Sequence, residues 1–222
     1  ASTDSDDRST DLSMISQYMI DGIEVTKAAT PDKDADVLGG TVNFRTKKAV
    51  EGFKYNLISQ GSNNALRETY NDYKVVADAS NRFFGNRFGV VGQIDTEKRN
   101  RSSNELGANY WINGPSLVDT NVVLVSSLGL RDVTRINNRL NGLFVVDANI
   151  PNGNISLTNL YSRIDKDEIV HSNSYGIMQD SRTFGTSDIQ RVMTVATNSL
   201  IYEQEFSGFK VDAFLTHSFS GS

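Results

Sequence analysis

The chain has 222 residues, of which 38% are hydrophobic and 22% charged, with a formal net charge of −5. That balance excludes a disordered chain, and an acidic surplus argues against nucleic acid, which needs clustered Lys and Arg against its phosphates. With no cysteine, disulfides, zinc–thiolate sites and thiol chemistry are excluded, and redox usage leaves the compartment open. No run of about 18 apolar residues is present, so no membrane-crossing helix is expected. A membrane is not excluded, because a crossing strand needs only about ten alternating residues.

Residues 1–8 are polar and acidic, carry no secretory signal, and read as a linker-like start. Ser13 is placed to cap a short helix carrying Met14, Ile15, Tyr18 and Met19, which Gly22 ends. Residues 23–27 alternate as a strand, residues 28–36 form a polar loop, and Gly39 and Gly40 precede a second strand, Thr41–Thr46. From Phe53 onward the texture is β. Phe53, Tyr55 and Leu57 start the first of seven strands. The second carries Tyr73, Val75, Ala77 and Ala79, and the third Phe88, Val90 and Ile94. Leu140, Phe144, Val146 and Ala148 mark the fourth, and Ile155, Leu157 and Tyr161 the fifth. Val192, Ala196, Leu200 and Tyr202 mark the sixth, and Phe209, Val211, Ala213, Leu215 and Phe219 the seventh. Each interleaves with polar residues, which gives a sheet one apolar and one polar face.

Short turns are expected at Phe84, Gly85 and Asn86, at residues 151–154, and at Ser207 and Gly208, where Asn and Gly accept positive φ. Between them lie polar segments, 97–130 and 166–189, read as long loops. Alternating short and long connections suit an up-and-down sheet in a membrane, with short turns on one side and long loops on the other.

Residues 23–27, Ile-Glu-Val-Thr-Lys, followed by a gap and then Gly39-Gly40-Thr41-Val42-Asn43-Phe44-Arg45-Thr46-Lys47, resemble the end of the plug in TonB-dependent outer-membrane receptors. Residues 30–40 look like a subgroup common in Bacteroidetes and in Caulobacter- and Xanthomonas-type bacteria. Residues 157–168 are similar to an early barrel strand running into its outer loop. Ala28 and Ala29 depart from the Gly-Pro that many members carry after the lysine. The resemblance implies a mainly β fold. Residues 1–50 would be the C-terminal part of an α+β plug, and residues 51–222 about seven antiparallel strands of an incomplete transmembrane β-barrel. It further implies a Gram-negative outer-membrane location and active import of a scarce nutrient: a siderophore, cobalamin, oligosaccharide or peptide. The partners it implies are the TonB system, acting on a segment outside this chain, the nutrient, outer-membrane lipid and the remainder of the barrel. The loop bearing Asp32, Lys33 and Asp34 would face ligand at the plug apex. Seven strands cannot close around a plug, so the chain is expected to be one piece of something longer.

Chemistry has weaker support in the sequence. Asp32, Asp34 and Asp36 have the 1-3-5 spacing of a calcium loop, but Val37 and Asn43 stand where such a loop needs Gly and Glu, so a solvated acidic loop is the plain reading. His171 and His217 are the only histidines and lie far apart; His217 falls on the apolar side of the last strand, and no metal site or cofactor is expected. Asp165, Asp167 and Glu168 form a carboxylate cluster, which without an apolar pocket reads as rim charge rather than as an acid–base pair. No nucleophile elbow, phosphate loop or dinucleotide fingerprint occurs, and an enzyme is not expected. Tyr202 and Phe206 suit a membrane girdle, while Tyr110 and Trp111 are expected in a long loop. The competing expectation is a soluble glycan-binding β-sandwich with Trp111 and the tyrosines as platforms.

Overall fold

The computed structural model describes residues 15–26, 41–112 and 123–221. Its strands are β1 (Ile20–Thr26), β2 (Thr41–Thr46), β3 (Lys54–Asn64), β4 (Thr69–Phe83), β5 (Phe88–Asn100), β6 (Ser103–Ile112), β7 (Val123–Ile150), β8 (Gly153–Gly176), β9 (Ser181–Phe206) and β10 (Phe209–Gly221). Every pairing is antiparallel. β1 and β2 make a two-stranded sheet, and β3 to β10 make a second sheet with β3 and β10 at its edges.

Among the described residues there is no α-helix. Where sequence placed a short helix capped by Ser13, the described part holds a 3-10 turn at Gln17–Met19, capped by Ser16, whose hydroxyl accepts from the Tyr18 amide. Gly22 ends no helix. It lies inside β1, beside a register shift between Ile20 and Gly22. The short apolar stretch was too brief to decide between helix and strand.

The large sheet is a simple meander. β5 pairs with the lower part of β7 and β6 with its upper part, in one continuous register: Phe88 faces Ala148, Asn100 faces Ile136, and Ser103 faces Val133. β5 and β6 are therefore one hairpin arm broken at Arg101 and Ser102. The break stays hydrogen-bonded. The Arg101 amide donates to the Arg135 carbonyl (2.7 Å), the Arg135 amide to the Ser102 hydroxyl (3.2 Å), and the Ser102 amide to Asn100 Oδ1 (3.0 Å). Counted as arms, the sheet has the seven that the alternation marks.

The two long loops are corrected. Residues 97–130 include the end of β5, all of β6 and the start of β7; residues 166–189 are mostly β8 and β9, joined by residues 177–180. At 28 residues and about 3.3 Å per residue, β7 runs to roughly 90 Å, far beyond a bilayer. These outer stretches mix charged residues such as Arg163, Asp165 and Asp167 into the apolar face's side, which breaks the period-2 signal that marks a half-buried strand. The three expected short turns are present as residues 84–87, 151–152 and 207–208, with Asn86 and Asn152 at positive φ and Gly208 at φ 107°. They lie at one end of the sheet.

Register assigns the faces. One carries Tyr55, Leu57, Val75, Ala77, Val90, Ile94, Phe144, Val146, Leu157, Leu200 and Leu215, aligned in neighbouring rows across the strands. Most of these side chains stand open; Tyr55 is 77% exposed, Ile94 56%, Phe144 48% and Leu215 71%. The opposite face carries Lys74, Asp78, Gln93, Asp95, Glu97, Asn141, Asp147 and Ser162. Its small apolar patch is where the N-terminal segment docks: Met19 and Ala49 pack with Val91, Leu143 and Val145, against Leu160.

Candidate functional site: the polar face and its docked segment

The pleat sends alternate side chains of β4, β5, β7 and β8 to the polar face, and the docked segment shields them from water. Gly89 makes the approach possible. A Cβ built there would lie 2.8 Å from the Ala49 Cβ and would also meet the Asp147 carboxylate. Glycine leaves room there for the Ala49 methyl and the Asp147 carboxylate.

Around this contact the ties are polar. Lys47 pairs with Asp78, and Arg82 pairs with Asp147 while its Nε donates to the Ala49 carbonyl at 2.9 Å. Lys74 sits over the Tyr18 ring at 4.6 Å. Beyond the docked segment, the Asn141 amide donates to Asp95 at 2.6 Å and accepts from the Ser162 hydroxyl at 2.7 Å. Lys74 and Arg99 flank Glu97 at 2.9 and 3.2 Å. Buried polar groups are retained when they satisfy one another, and this ladder does so across three adjacent strands. Gln93 is buried with neither side-chain polar atom bonded, and one carboxylate oxygen each of Asp95 and Asp147 is also buried without a partner. The docked segment is held on this polar wall by a few apolar contacts, the Lys47–Asp78 ion pair, the hydrogen bond from Arg82 to the Ala49 carbonyl and Lys74 over the Tyr18 ring.

The predicted site residues Asp32, Lys33 and Asp34 lie outside the described residues, as do Asp36 and Val37, while Asn43 stands on β2 opposite Glu24. Residues 32–37 belong to the connection between β1 and β2, whose last described pair is Thr26 with Thr41. That pair is at the opposite end of the hairpin from Met19 and Lys47, where the segment docks.

The carboxylate cluster is split by the pleat. Asp165 and Asp167 lie on the apolar face's side of β8, and Glu168 lies on the polar side. Glu168 accepts from Arg135 at 2.5 Å, and this hydrogen bond holds its carboxyl below the usual range; Asp165 pairs with Arg163 at 3.0 Å. His171 stands on β8, not in a loop, 3.1 Å from Thr186 on β9. His217 lies where alternation placed it, on the apolar face opposite Asn198. Tyr110 and Trp111 stand on β6, exposed. Tyr202 shares the row of Phe88 near the short turns, and the Phe206 and Phe209 rings stack at 5.0 Å beside residues 207–208. No group of three or more metal-ligating side chains occurs among the described residues.

A groove of about 530 Å³ opens on the outer stretch of the apolar face's side, lined by Leu106, Leu130, Asp132, His171, Asn173 and Phe184. Its polar groups are already engaged: Asp132 with Arg67, His171 with Thr186, and Asn173 with Arg182 and the Tyr175 hydroxyl.

Sequence reasoning missed the docked segment and the ladder. Alternation shows that Lys74, Asp78, Asn141 and Asp147 share a polar face. It cannot show that Met19, more than 70 residues from its nearest partner in the large sheet, covers that face. Comparison with protein-family models, curated proteins and solved structures finds no match to this chain.

Proposed function

We propose that this chain belongs to a TonB-dependent outer-membrane receptor, carrying the last part of the plug and the first arms of the barrel. The observation that supports this most is the division of faces. A seven-arm antiparallel meander carries a mainly apolar surface on one side and a charged surface on the other, and the segment preceding it in sequence packs on the charged side. Lipid satisfies the first surface, and a water-filled lumen holding a plug satisfies the second. Aromatic rings at the short-turn end, Phe83, Phe88, Tyr202, Phe206 and Phe209, match an interfacial girdle. No helix among the described residues is long and apolar enough to cross a membrane, so crossing would rest on strands alone.

The work is gated transport, with no covalent step. Nutrient binds from outside, where the long arms project and where Asp32, Lys33 and Asp34 would face it. TonB, energised by the inner-membrane proton gradient, pulls on the plug, and the contacts at Met19, Lys47 and Ala49 are among those that must yield. A single ion pair, Lys47–Asp78, crosses this contact among the described residues, so few charges need new partners when it opens.

The test is fractionation of the source cells, intact mass of the protein carrying these residues, and uptake measured with and without TonB. The reading expects a detergent-extracted outer-membrane protein much longer than this chain, with uptake that stops when TonB is removed. A freely soluble protein of this length would overturn it.

A further inference from the structure

The sheet has a step in its outer half. Tyr73 of β4 faces Lys98, so Thr69, where β4 begins, lies level with Ser102. The β3–β4 hairpin therefore stops where β6 begins, and among the described residues β6 pairs with β7 alone. The ten residues of β6, about 33 Å at 3.3 Å each, turn one row of backbone N–H and C=O groups toward an open notch. The notch is two strands wide, the width of β3 and β4, and residues 65–68 form its floor. Asn64 donates to the Asn100 carbonyl and Asn100 to the Thr69 hydroxyl, both at 3.2 Å, which fixes that floor to the base of β6. Free edges in natural proteins are kept from pairing by Lys, Pro, bulges or brevity. Residues 103–109 have no Lys or Pro, and the first register shift falls after them, between Asn109 and Tyr110. Their one charged residue, Glu105, is paired with Arg131 of β7.

The shape of the step selects what can pair there. Copies in one membrane stand the same way up, so each brings its own β3–β4 shelf. Four strands then lie between the two β6 edges and hold them roughly 24 Å apart, against about 4.8 Å for pairing. A second copy therefore cannot reach the edge. A single extended peptide entering from outside can: one strand spacing from β6, it offers its own backbone donors and acceptors to the free row, as in strand addition. Side chains add a preference. A peptide residue opposite Leu106 joins the row of Leu106, Leu130, Asn173 and Phe184. Leu106 is 70% exposed and Phe184 67%, and the groove of about 530 Å³ opens from Leu106 across this row. An apolar side chain at that position covers Leu106 and enters the groove. The peptide residues on either side of it point to the other face, beside Glu105 and Gly107, where polar side chains suit.

We propose that the free edge of β6 binds an extended free peptide by strand addition, with an apolar residue beside Leu106. This rests on the outer-membrane reading and names a peptide as the ligand class. The experiment is hydrogen exchange on the full-length protein, extracted from its membrane, with a nine-residue peptide of alternating Thr and Leu. N-methyl groups on every second amide leave this probe one pairing edge, so it cannot stack on itself. The control peptide carries N-methyl groups on every amide. Without peptide, the amides of residues 103–109 that do not bond β7 should exchange fast. The one-edged probe should slow them at least tenfold, and the control should not. Leu106→Lys should weaken the probe at least tenfold while exchange in β7 and β8 stays as in wild type. No slowing by the probe, in a protein found in the outer membrane, would overturn the peptide site and leave the membrane reading standing. Slow exchange of the same amides before peptide is added would show that another part of the protein covers the edge, and a doubled mass would show a second copy there; either result overturns the proposal. A freely soluble protein would overturn both the proposal and the reading beneath it.

Discussion

Met19 is the side chain on which docking of the N-terminal segment most depends. It is 1% exposed and packs among Ala49, Val91, Leu143 and Val145. Met19→Ala removes the part of the side chain that fills this patch. Truncating a fully buried Met costs about 2–5 kcal/mol. The lower half of that range applies, because the site lies at a docking surface that can partly relax. A cost of about 2–3 kcal/mol raises the undocked population roughly 30- to 150-fold, at a factor of ten per 1.4 kcal/mol. The segment would still dock, because Arg82 still holds the Ala49 carbonyl and Lys47 still pairs with Asp78. Hydrogen exchange on the detergent-extracted protein reads this directly. Peptides covering residues 15–26 and 41–50 should exchange faster by that factor, led by the Lys47 amide, which donates to the Met19 carbonyl at 3.4 Å. Peptides from β7 and β8 should not change. Ile23→Ala is the control: Ile23 is 59% exposed, and its truncation should stay within about 0.5 kcal/mol. Equal exchange in Met19→Ala and wild type would refute the docked arrangement.

Gly89→Val should have a related effect by the opposite route. A side chain there meets Ala49 and Asp147, so the segment should be displaced and trypsin should cut near Lys47 and Lys48 at rates at least tenfold above wild type; unchanged cutting would contradict the close approach. Asn141→Leu takes the amide donor from Asp95 and the acceptor from Ser162, at a cost of about 1–3 kcal/mol, read as a lowered unfolding temperature of the extracted protein. A higher unfolding temperature would mean that the ladder is not buried as described. Phe144→Arg places a charge in the middle of the apolar face, where the membrane reading makes lipid exposure cost about 2–4 kcal/mol, so assembled protein in the outer membrane should fall sharply. Equal assembly of Phe144→Arg and wild type would count against lipid contact. Glu168 is held below its usual range by Arg135, so its contribution is present above the ordinary carboxylate pKa and lost as pH falls through the lowered value. For a partly exposed pair this is worth about 0.2–1 kcal/mol. Protection at residues 163–176, measured relative to the intrinsic exchange rate at each pH, should fall on acidification in wild type and less so in Glu168→Gln. An identical acid response in the two would remove the pair from the account.

The lower half of the sheet was legible because burial on one side leaves a period-2 record: Leu140, Phe144, Val146 and Ala148 against Asn141 and Asp147. The upper half was not. In residues 103–112 the alternation of Leu106, Ala108 and Tyr110 is brief, and residues 163–176 and 181–190 put Arg163, Asp165, Asp167, Arg182 and Asp188 on the apolar face's side, so their strand state rests mainly on backbone pairing. Turn chemistry was legible at Asn86, Asn152 and Gly208, where positive φ restricts residue choice. The break at Arg101 and Ser102 was invisible, because Ser102 completes the ladder with a hydroxyl that any serine could supply. At the candidate site, sequence identified a polar face and left its cover unknown. The anchor is one methionine whose partners come from β5 and β7, and such long-range packing is not written in local pattern.

The central claim is that the apolar face meets lipid and the polar face meets water or the docked segment. Spin labels placed one at a time at residues 140–148 of β7 in the full-length protein, in lipid bilayers, test it most directly. Collision rates with oxygen, which partitions into lipid, and with a water-soluble nickel chelate should alternate. Positions 140, 142, 144, 146 and 148 should favour oxygen, and positions 141, 143, 145 and 147 should be shielded from it. Preferential collision of the even positions with the nickel chelate would contradict the account.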